Sequence, residues 1–126
     1  MLTSASDSEG LACAAIGYVE LRAALAAAIR SGRLPSAQRD AALADLERVW
    51  AGVSEVALDR DLLAVAGDLT ERMSLRGYDA VHLAALMAIG PASVVSLACW
   101  DIDLRRAASS LGYALIPQSE IGGADR

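Results

Sequence analysis

The segment RGYDAVHLAALMAIG, residues 76–90, gives the first indication of the fold. It predicts a helix that is apolar on almost every side, which is typical of a helix buried inside a protein. Two polar side chains interrupt it, Asp79 near its start and His82, the only histidine in the chain. The local sequence leaves two explanations of the aspartate open: it stabilises the helix N-terminus, or it binds a metal ion.

Length and composition favour one soluble domain. The 126 residues are 55% hydrophobic, much of this alanine, which favours helix and argues against disorder. No apolar run could span a bilayer, and residues 1–10 lack the basic start and apolar middle of a signal peptide, so we expect a cytoplasmic protein. A net charge of −5 argues against binding nucleic acid by bulk electrostatics. Any such role would depend on a local site.

The cysteines and the histidine are expected to be structural. Cys13 and Cys99 both lie in short apolar runs, where buried free thiols are expected. Two cysteines and one histidine argue against a zinc site. We expect His82 to pack against the sheet and to hydrogen-bond to the backbone rather than to bind a metal.

The hydrophobic pattern predicts strands that alternate with helices. The predicted strands cover residues 11–16, 53–58, 93–99 and 113–117, and the predicted helices cover 17–30, 36–52, 59–73, 78–89 and 102–111. The first two helices should form a hairpin, and the strand at 53–58 should lie at a sheet edge. Ser36, Asp59 and Asp101 are predicted N-caps. Together they indicate a single α/β domain spanning residues 1–126, with a mostly parallel sheet and loose ends at 1–10 and 118–126.

Three acids occupy similar places, each at or near the start of a helix: Glu20, Asp79 and Asp101. Where parallel strands lead into helices, the helix starts gather along one sheet edge, so we expect the three carboxylates to converge. Apolar neighbours surround Glu20 and Asp79 in sequence, and an acid in such surroundings is costly unless it is paired. One Mg²⁺ or Mn²⁺ ion would pair all three and could activate a water molecule. Taken singly, each is equally explained as a cap or first-turn acid.

Four further residues near these helix starts are candidates for the same site. Asp103 is either a second metal ligand or a solvated acid in the first helical turn. Arg76, Arg105 and Arg106 either contact phosphate or are surface charges.

Three segments, YVELRAAL, RGYDAVHLAALMAIG and SLACWDIDLRRAASSLGYALIP, resemble the PIN-domain family and most closely its VapC-type toxins. The resemblance covers about residues 11–117. It implies a PIN-like three-layer α/β/α sandwich and a Mg²⁺- or Mn²⁺-dependent endoribonuclease that cleaves RNA. It also implies a homodimer and a small antitoxin that covers the active site.

The resemblance assigns roles to particular residues. Glu20 matches the family's helical glutamate, Asp79 the aspartate of its YDA motif, and Asp101 the aspartate after the penultimate strand. These three would be catalytic and bind the metal, with Asp103 close by. Apart from the resemblance, the positions of Arg76 and Arg105 near these helix starts predict that they contact the substrate.

The N-terminus departs from the family pattern, in which a first strand ends in a metal-binding aspartate. Only 19 residues precede Glu20, and the acids among them, Asp7 and Glu9, fall in a predicted loop. We therefore expect a shortened sheet that lacks its central strand and leaves an exposed apolar seam. Two explanations follow: a fragment of a longer protein, or a degenerate PIN-like module for dimerisation or antitoxin binding. A third interpretation is a small α/β protein whose acids are only helix caps.

Overall fold

The computed structural model describes residues 2–5 and 10–118, with side chains for the second range. The described strands are β1 Leu2–Ala5, β2 Leu11–Ala14, β3 Val53–Val56, β4 Val95–Ala98 and β5 Ala114–Ile116. The described α-helices are α1 Gly17–Arg30, α2 Arg39–Ala51, α3 Arg60–Arg72, α4 Gly77–Ile89 and α5 Ile102–Ser110. The predicted loose tail lies outside the described residues from 119 onwards.

The sheet has the strand order β3-β2-β1-β4-β5. β2 pairs with β3 and β4 pairs with β5 in parallel, whereas β1 is antiparallel to both of its neighbours. Four strands therefore point the same way, and β1 alone points the opposite way. The predicted mixed α/β fold with a mostly parallel sheet is confirmed, and it agrees with a PIN-like α/β/α arrangement. The strand at Val53–Val56 lies at the sheet edge, as expected.

The centre of the sheet differs from the sequence prediction. The sequence predicted that the sheet lacks its central strand and that residues 1–10 are a loose end. Both predictions are wrong for Leu2–Ala5, which form β1 between β2 and β4. The inner edges of β2 and β4 both present backbone N–H and C=O groups, and four extended residues of either direction can pair with them. Asp7 and Glu9 lie outside the described residues.

The direction of β1 has a consequence for the opposite end of the sheet. Leu2 pairs with Ala98 and Ala5 pairs with Val95, so β1 begins where β4 ends. The carboxyl edge of the sheet therefore receives the start of β1 and not its end. None of residues 2–5 is acidic. Within the described residues, the first strand adds no carboxylate to that edge.

The core is built around α4, as the apolar segment at residues 76–90 predicts. Ala80, Leu83 and Leu86 of this helix are completely buried. α4 packs against α3, α5 and three of the strands. Further core side chains come from the neighbouring elements: Leu69, Leu97, Leu104 and Ala108. No helix in the described part of the chain is long and apolar enough to cross a membrane.

Local signals placed most element boundaries correctly. Asp59 caps α3 by accepting a hydrogen bond of 2.8 Å from the Leu62 backbone N–H. Ser36 does not cap α2. It instead begins a 3₁₀ turn over Ser36–Gln38, and the α-helix starts only at Arg39. The Gln38 N–H bonds to the Pro35 carbonyl three residues back, which is the 3₁₀ pattern. Cys13 and Cys99 are both buried, as predicted, and neither forms a disulfide with the other.

Candidate active site

Asp101 links the end of β4 to the start of α5. Its Oδ1 accepts hydrogen bonds from the backbone N–H groups of Asp103 at 3.0 Å and Leu104 at 3.1 Å. The predicted N-cap is therefore confirmed. Because the cap uses Oδ1, the carboxylate is fixed in orientation and Oδ2 remains for another partner.

Asp79 lies in the first turn of α4 and is almost fully buried, with a side-chain exposure of 5%. Its Oδ2 accepts from Arg76 Nη2 at 3.3 Å and from Arg76 Nε at 3.4 Å. The same Nη2 donates to Asp101 Oδ2 at 3.1 Å. The structure thus brings Asp79 and Asp101 together, as expected, with an arginine guanidinium between them.

The electrostatics of this pair favour a cation. Burial raises the pKa of the Asp79 carboxyl above its ordinary value, and the nearby Asp101 carboxylate raises it further. The Arg76 guanidinium opposes both effects. Two carboxylates that share one partly buried place repel each other, so a positive charge between them stabilises their ionised forms.

Glu20 belongs to a second group of side chains. It lies in the first turn of α1, and its Oε1 is 2.5 Å from Nε2 of His82. The histidine side chain is 2% exposed and lies one turn after Asp79 on α4. A carboxylate can only accept, so Nε2 carries the hydrogen in this contact. The expectation that His82 hydrogen-bonds to the backbone is wrong, because β2 packs against α4 and delivers the start of α1 to it.

The charge state of His82 depends on two opposing influences. Burial lowers the pKa of the His82 imidazole, whereas the hydrogen bond to Glu20 raises it. Burial is the larger influence, so the ring is favoured in its neutral form. A neutral ring that donates Nε2–H to Glu20 holds the carboxylate without cancelling its charge.

The three predicted carboxylates form two groups and not one cluster. Asp79 and Asp101 share Arg76, whereas Glu20 contacts His82. Within residues 10–118, no three histidine, cysteine, aspartate or glutamate side chains are placed to hold a metal ion by themselves. A magnesium site does not require three, because Mg²⁺ is usually bound by one or two carboxylates together with water and substrate phosphate. The Asp79–Asp101 pair is the candidate place for a divalent cation, since its two Oδ2 atoms already share a cationic partner.

Comparison with known proteins identifies the family. The chain is 39% identical over 102 residues to Ribonuclease VapC45 of Mycobacterium tuberculosis (strain CDC 1551 / Oshkosh), covering 81% of this chain and 70% of that protein. The chain belongs to the VapC family of toxin ribonucleases. Ribonuclease VapC49 of M. tuberculosis (strain ATCC 25618 / H37Rv) matches with the same identity and coverage. The VapC resemblance of the three sequence segments is thereby confirmed. No family model matches the chain.

Arg105, a predicted substrate contact, donates hydrogen bonds to the backbone of its own chain. Its guanidinium is buried, with 5% exposure, and donates to the backbone carbonyls of Cys99 at 2.8 Å and Pro117 at 2.7 Å. These bonds tie the segments after β4 and β5 to α5. The helical repeat turns Arg105 inward beside Leu104, which is fully buried.

Asp103 and Arg106 face the opposite side of α5 and are exposed. They line a cavity of about 360 Å³ that also borders residues 73–75, which directly precede Arg76. The other lining residues are Met73, Ser74, Leu75, Ala107 and Ser110. Asp103 contributes its backbone N–H to the Asp101 cap. Its exposed side chain lines the cavity.

Sequence reasoning missed the contact between Glu20 and His82. The available signal was the position of the histidine, one turn after Asp79 on the most buried helix. An imidazole there needs a polar partner, because a buried polar group without a hydrogen bond is costly. The identity of that partner was not encoded locally, since 62 residues separate the two.

Proposed function

We propose that this VapC-family chain is a metal-dependent endoribonuclease that acts as the toxin of a toxin–antitoxin pair. The observation that carries the proposal is the pairing of Asp79 with Asp101 around one cationic group at the carboxyl edge of the sheet. Such a pair on two rigid helix starts is a suitable receptor for a divalent cation. The 39% identity to two proteins named as ribonucleases supplies the reaction class.

The residues divide the work according to their positions. Asp79 and Asp101 would hold the metal, and Asp103, on the exposed side of α5, is a further candidate ligand. Glu20, held by His82, would orient the attacking water as a general base. The bound ion, Mg²⁺ or Mn²⁺, supplies activation of water and stabilisation of charge on the scissile phosphate.

RNA binding would be local, because the chain carries a net charge of −5. The exposed arginines nearest to the site are Arg76, which contacts both aspartates, and Arg106, which lines the adjacent cavity. Both can donate to phosphate oxygens. Family membership implies an antitoxin partner. A homodimer and a cytoplasmic location, where RNA is accessible, complete the proposal.

The proposal is tested by cleavage of structured RNA with Mg²⁺ or Mn²⁺, and with a chelator. Wild type should cleave only with metal, and Asp79→Asn should lower the rate about 100-fold or more because the carboxylate pair loses one charge. Asp45→Asn is the matched control, since Asp45 is an exposed acid of α2 that pairs with Arg48. Equal rates for wild type and Asp79→Asn would overturn the proposed site.

The direction of β1 favours a second candidate, a VapC-like module that binds its antitoxin or a second copy without cleaving RNA. In the described residues, no acid of the first strand reaches the carboxyl edge, where the family pattern has one. This candidate predicts no cleavage by wild type under any metal condition. It also predicts antitoxin binding or dimerisation that Asp79→Asn leaves unchanged.

A further inference from the structure

The two aspartates of the candidate site are held rigidly, whereas the arginine between them is not. Asp79 is buried in the first turn of α4, and Asp101 is fixed by two backbone N–H groups at the start of α5. The Arg76 side chain is 75% exposed and belongs to the N-cap residue that precedes α4. Within this group, the cation is therefore the part that can move.

The contacts of Arg76 with the aspartates are long for charged groups. They measure 3.1, 3.3 and 3.4 Å, whereas charge-assisted hydrogen bonds of this kind typically measure about 2.7–2.9 Å. One nitrogen, Nη2, serves both carboxylates, and neither contact is the parallel two-bond arrangement that makes arginine–carboxylate pairs strong. The guanidinium neutralises the pair without binding it tightly.

A divalent cation would need the same oxygens. Arg76 contacts Oδ2 of Asp79 and Oδ2 of Asp101, and Oδ1 of Asp101 is occupied by the helix cap. A metal ion between the aspartates and a guanidinium in its present place would share ligands and repel each other. The two cations therefore exclude one another at the pair.

We propose that Arg76 is a resident counter-ion that competes with the divalent metal for the Asp79–Asp101 pair. The inference rests on the proposed function, because it takes this pair as the metal site. Arg76 lowers the cost of two adjacent carboxylates before metal binds. When metal binds, the Arg76 guanidinium is released from the aspartates. At the start of α4 it can then donate a hydrogen bond to an RNA phosphate oxygen.

The competition couples metal binding to substrate binding. Metal binding frees the guanidinium for phosphate, and a phosphate that holds the guanidinium leaves the aspartates open to metal. By linkage, each ligand then raises the affinity of the other by the same factor. Arg76 is thus a positioning residue for the metal and a substrate contact after its release.

The experiment is a Mn²⁺ titration of the full chain without RNA, in which electron paramagnetic resonance counts the free ion. Arg76→Gln should bind Mn²⁺ about 5-fold more tightly than wild type or better, because the competing charge is gone. Arg106→Gln removes the same charge from the neighbouring cavity and should change the affinity much less, since exposed charges are screened. Arg76→Lys keeps the charge but loses the planar guanidinium, so its Mn²⁺ affinity should lie between those of wild type and Arg76→Gln.

The outcomes separate the inference from the proposed function. If Arg76→Gln binds no more tightly than Arg106→Gln, while Asp79→Asn abolishes binding, the competition is overturned and the metal site stands. If neither wild type nor Arg76→Gln binds Mn²⁺, the inference and the proposed metal site both fail. Should Arg76→Gln fail to fold, Arg76→Ala replaces it, and an affinity of Arg76→Ala no tighter than that of Arg106→Gln overturns the competition.

Discussion

The two groups of the candidate site hold their carboxylates with different kinds of partner. Asp79 and Asp101 share an arginine that is 75% exposed, whereas Glu20 is held by a histidine side chain that is 2% exposed. The aspartates are the fixed members of the first group, and the cation is the exposed one. In the second group the buried imidazole is the fixed member, and the glutamate side chain is 34% exposed.

This difference separates two tasks that a hydrolytic site must perform. An exposed arginine can be exchanged for another cation at little cost in packing, which suits a place where a metal binds and leaves. A buried neutral histidine cannot be exchanged, because its removal opens the core, and it suits a carboxylate that must keep one orientation. The comparison predicts that variants in the two groups affect stability, pH dependence and metal binding in different ways.

The largest expected difference between the groups is in stability. His82→Ala should lower the free energy of unfolding by about 2–3 kcal/mol, because it removes a buried ring and its hydrogen bond to Glu20. Arg76→Ala should cost about 1 kcal/mol or less, because water can replace an exposed guanidinium. Urea unfolding of both variants measures this, and equal losses would contradict the comparison.

A smaller difference should appear in the pH dependence of stability of the metal-free protein. The raised pKa of Asp79 means that the folded state binds this proton more tightly than the unfolded state. Protonated Asp79 therefore contributes to the free energy of unfolding below about pH 4, the ordinary aspartate pKa. This contribution is lost as pH rises through the raised pKa. Asp79→Asn should consequently melt at a higher temperature than wild type near neutral pH, with the gain shrinking toward pH 4.

His82 should show the opposite sign. Its lowered pKa means that the folded state releases this proton more easily, so its contribution is present above about pH 6.5 and is lost as pH falls toward the lowered pKa. The deficit of His82→Gln relative to wild type should shrink on acidification from pH 7.5. Thermal melts of both variants with a chelator, measured across this pH range, test the two predictions. If the melting temperatures of both variants change with pH in the same direction relative to wild type, the predicted difference is wrong.

The smallest expected effect is a difference in stability between two variants of Asp101, which distinguishes its capping role from its charge. Asp101→Ala should lose about 1 kcal/mol because the cap to the N–H groups of Asp103 and Leu104 disappears. Asp101→Asn keeps a capping oxygen and should stay within a few tenths of a kcal/mol of wild type. Both variants should lose Mn²⁺ binding and RNA cleavage, since both lack the second charge. Full activity of Asp101→Asn would show that the residue is only a cap.

The accuracy of the sequence predictions depended on how local the relevant interactions were. The helix at residues 77–89 and the cap at Asp59 were predicted correctly because periodicity and capping act over a few neighbouring residues. The strand at Leu2–Ala5 was missed, since its four residues have no distinctive pattern and are ordered by pairing with two other strands. Ser36 was misassigned where a 3₁₀ turn competed with the cap.

The candidate site shows the same division between local and distant interactions. The sequence predicts Glu20, Asp79 and Asp101 as candidate site residues, because acids at helix starts after apolar segments are visible locally. It did not show that Arg76 reaches Asp101, 25 residues away, or that Glu20 contacts His82. It also did not show that Arg105 turns inward to bind backbone carbonyls.

The sequence by itself determined the alternation of strands and helices, the buried α4 and the VapC family to which the chain belongs. Hydrophobic periodicity and motif spacing carry that information, and both act within short stretches of chain. Only the tertiary structure decided that β1 runs against its neighbours and that the site divides into an arginine-held pair and a histidine-held glutamate. The direction of β1 is fixed by its pairing with β2 and β4. The division of the site follows from packing β2 and α5 against α4, which brings together side chains that the sequence separates.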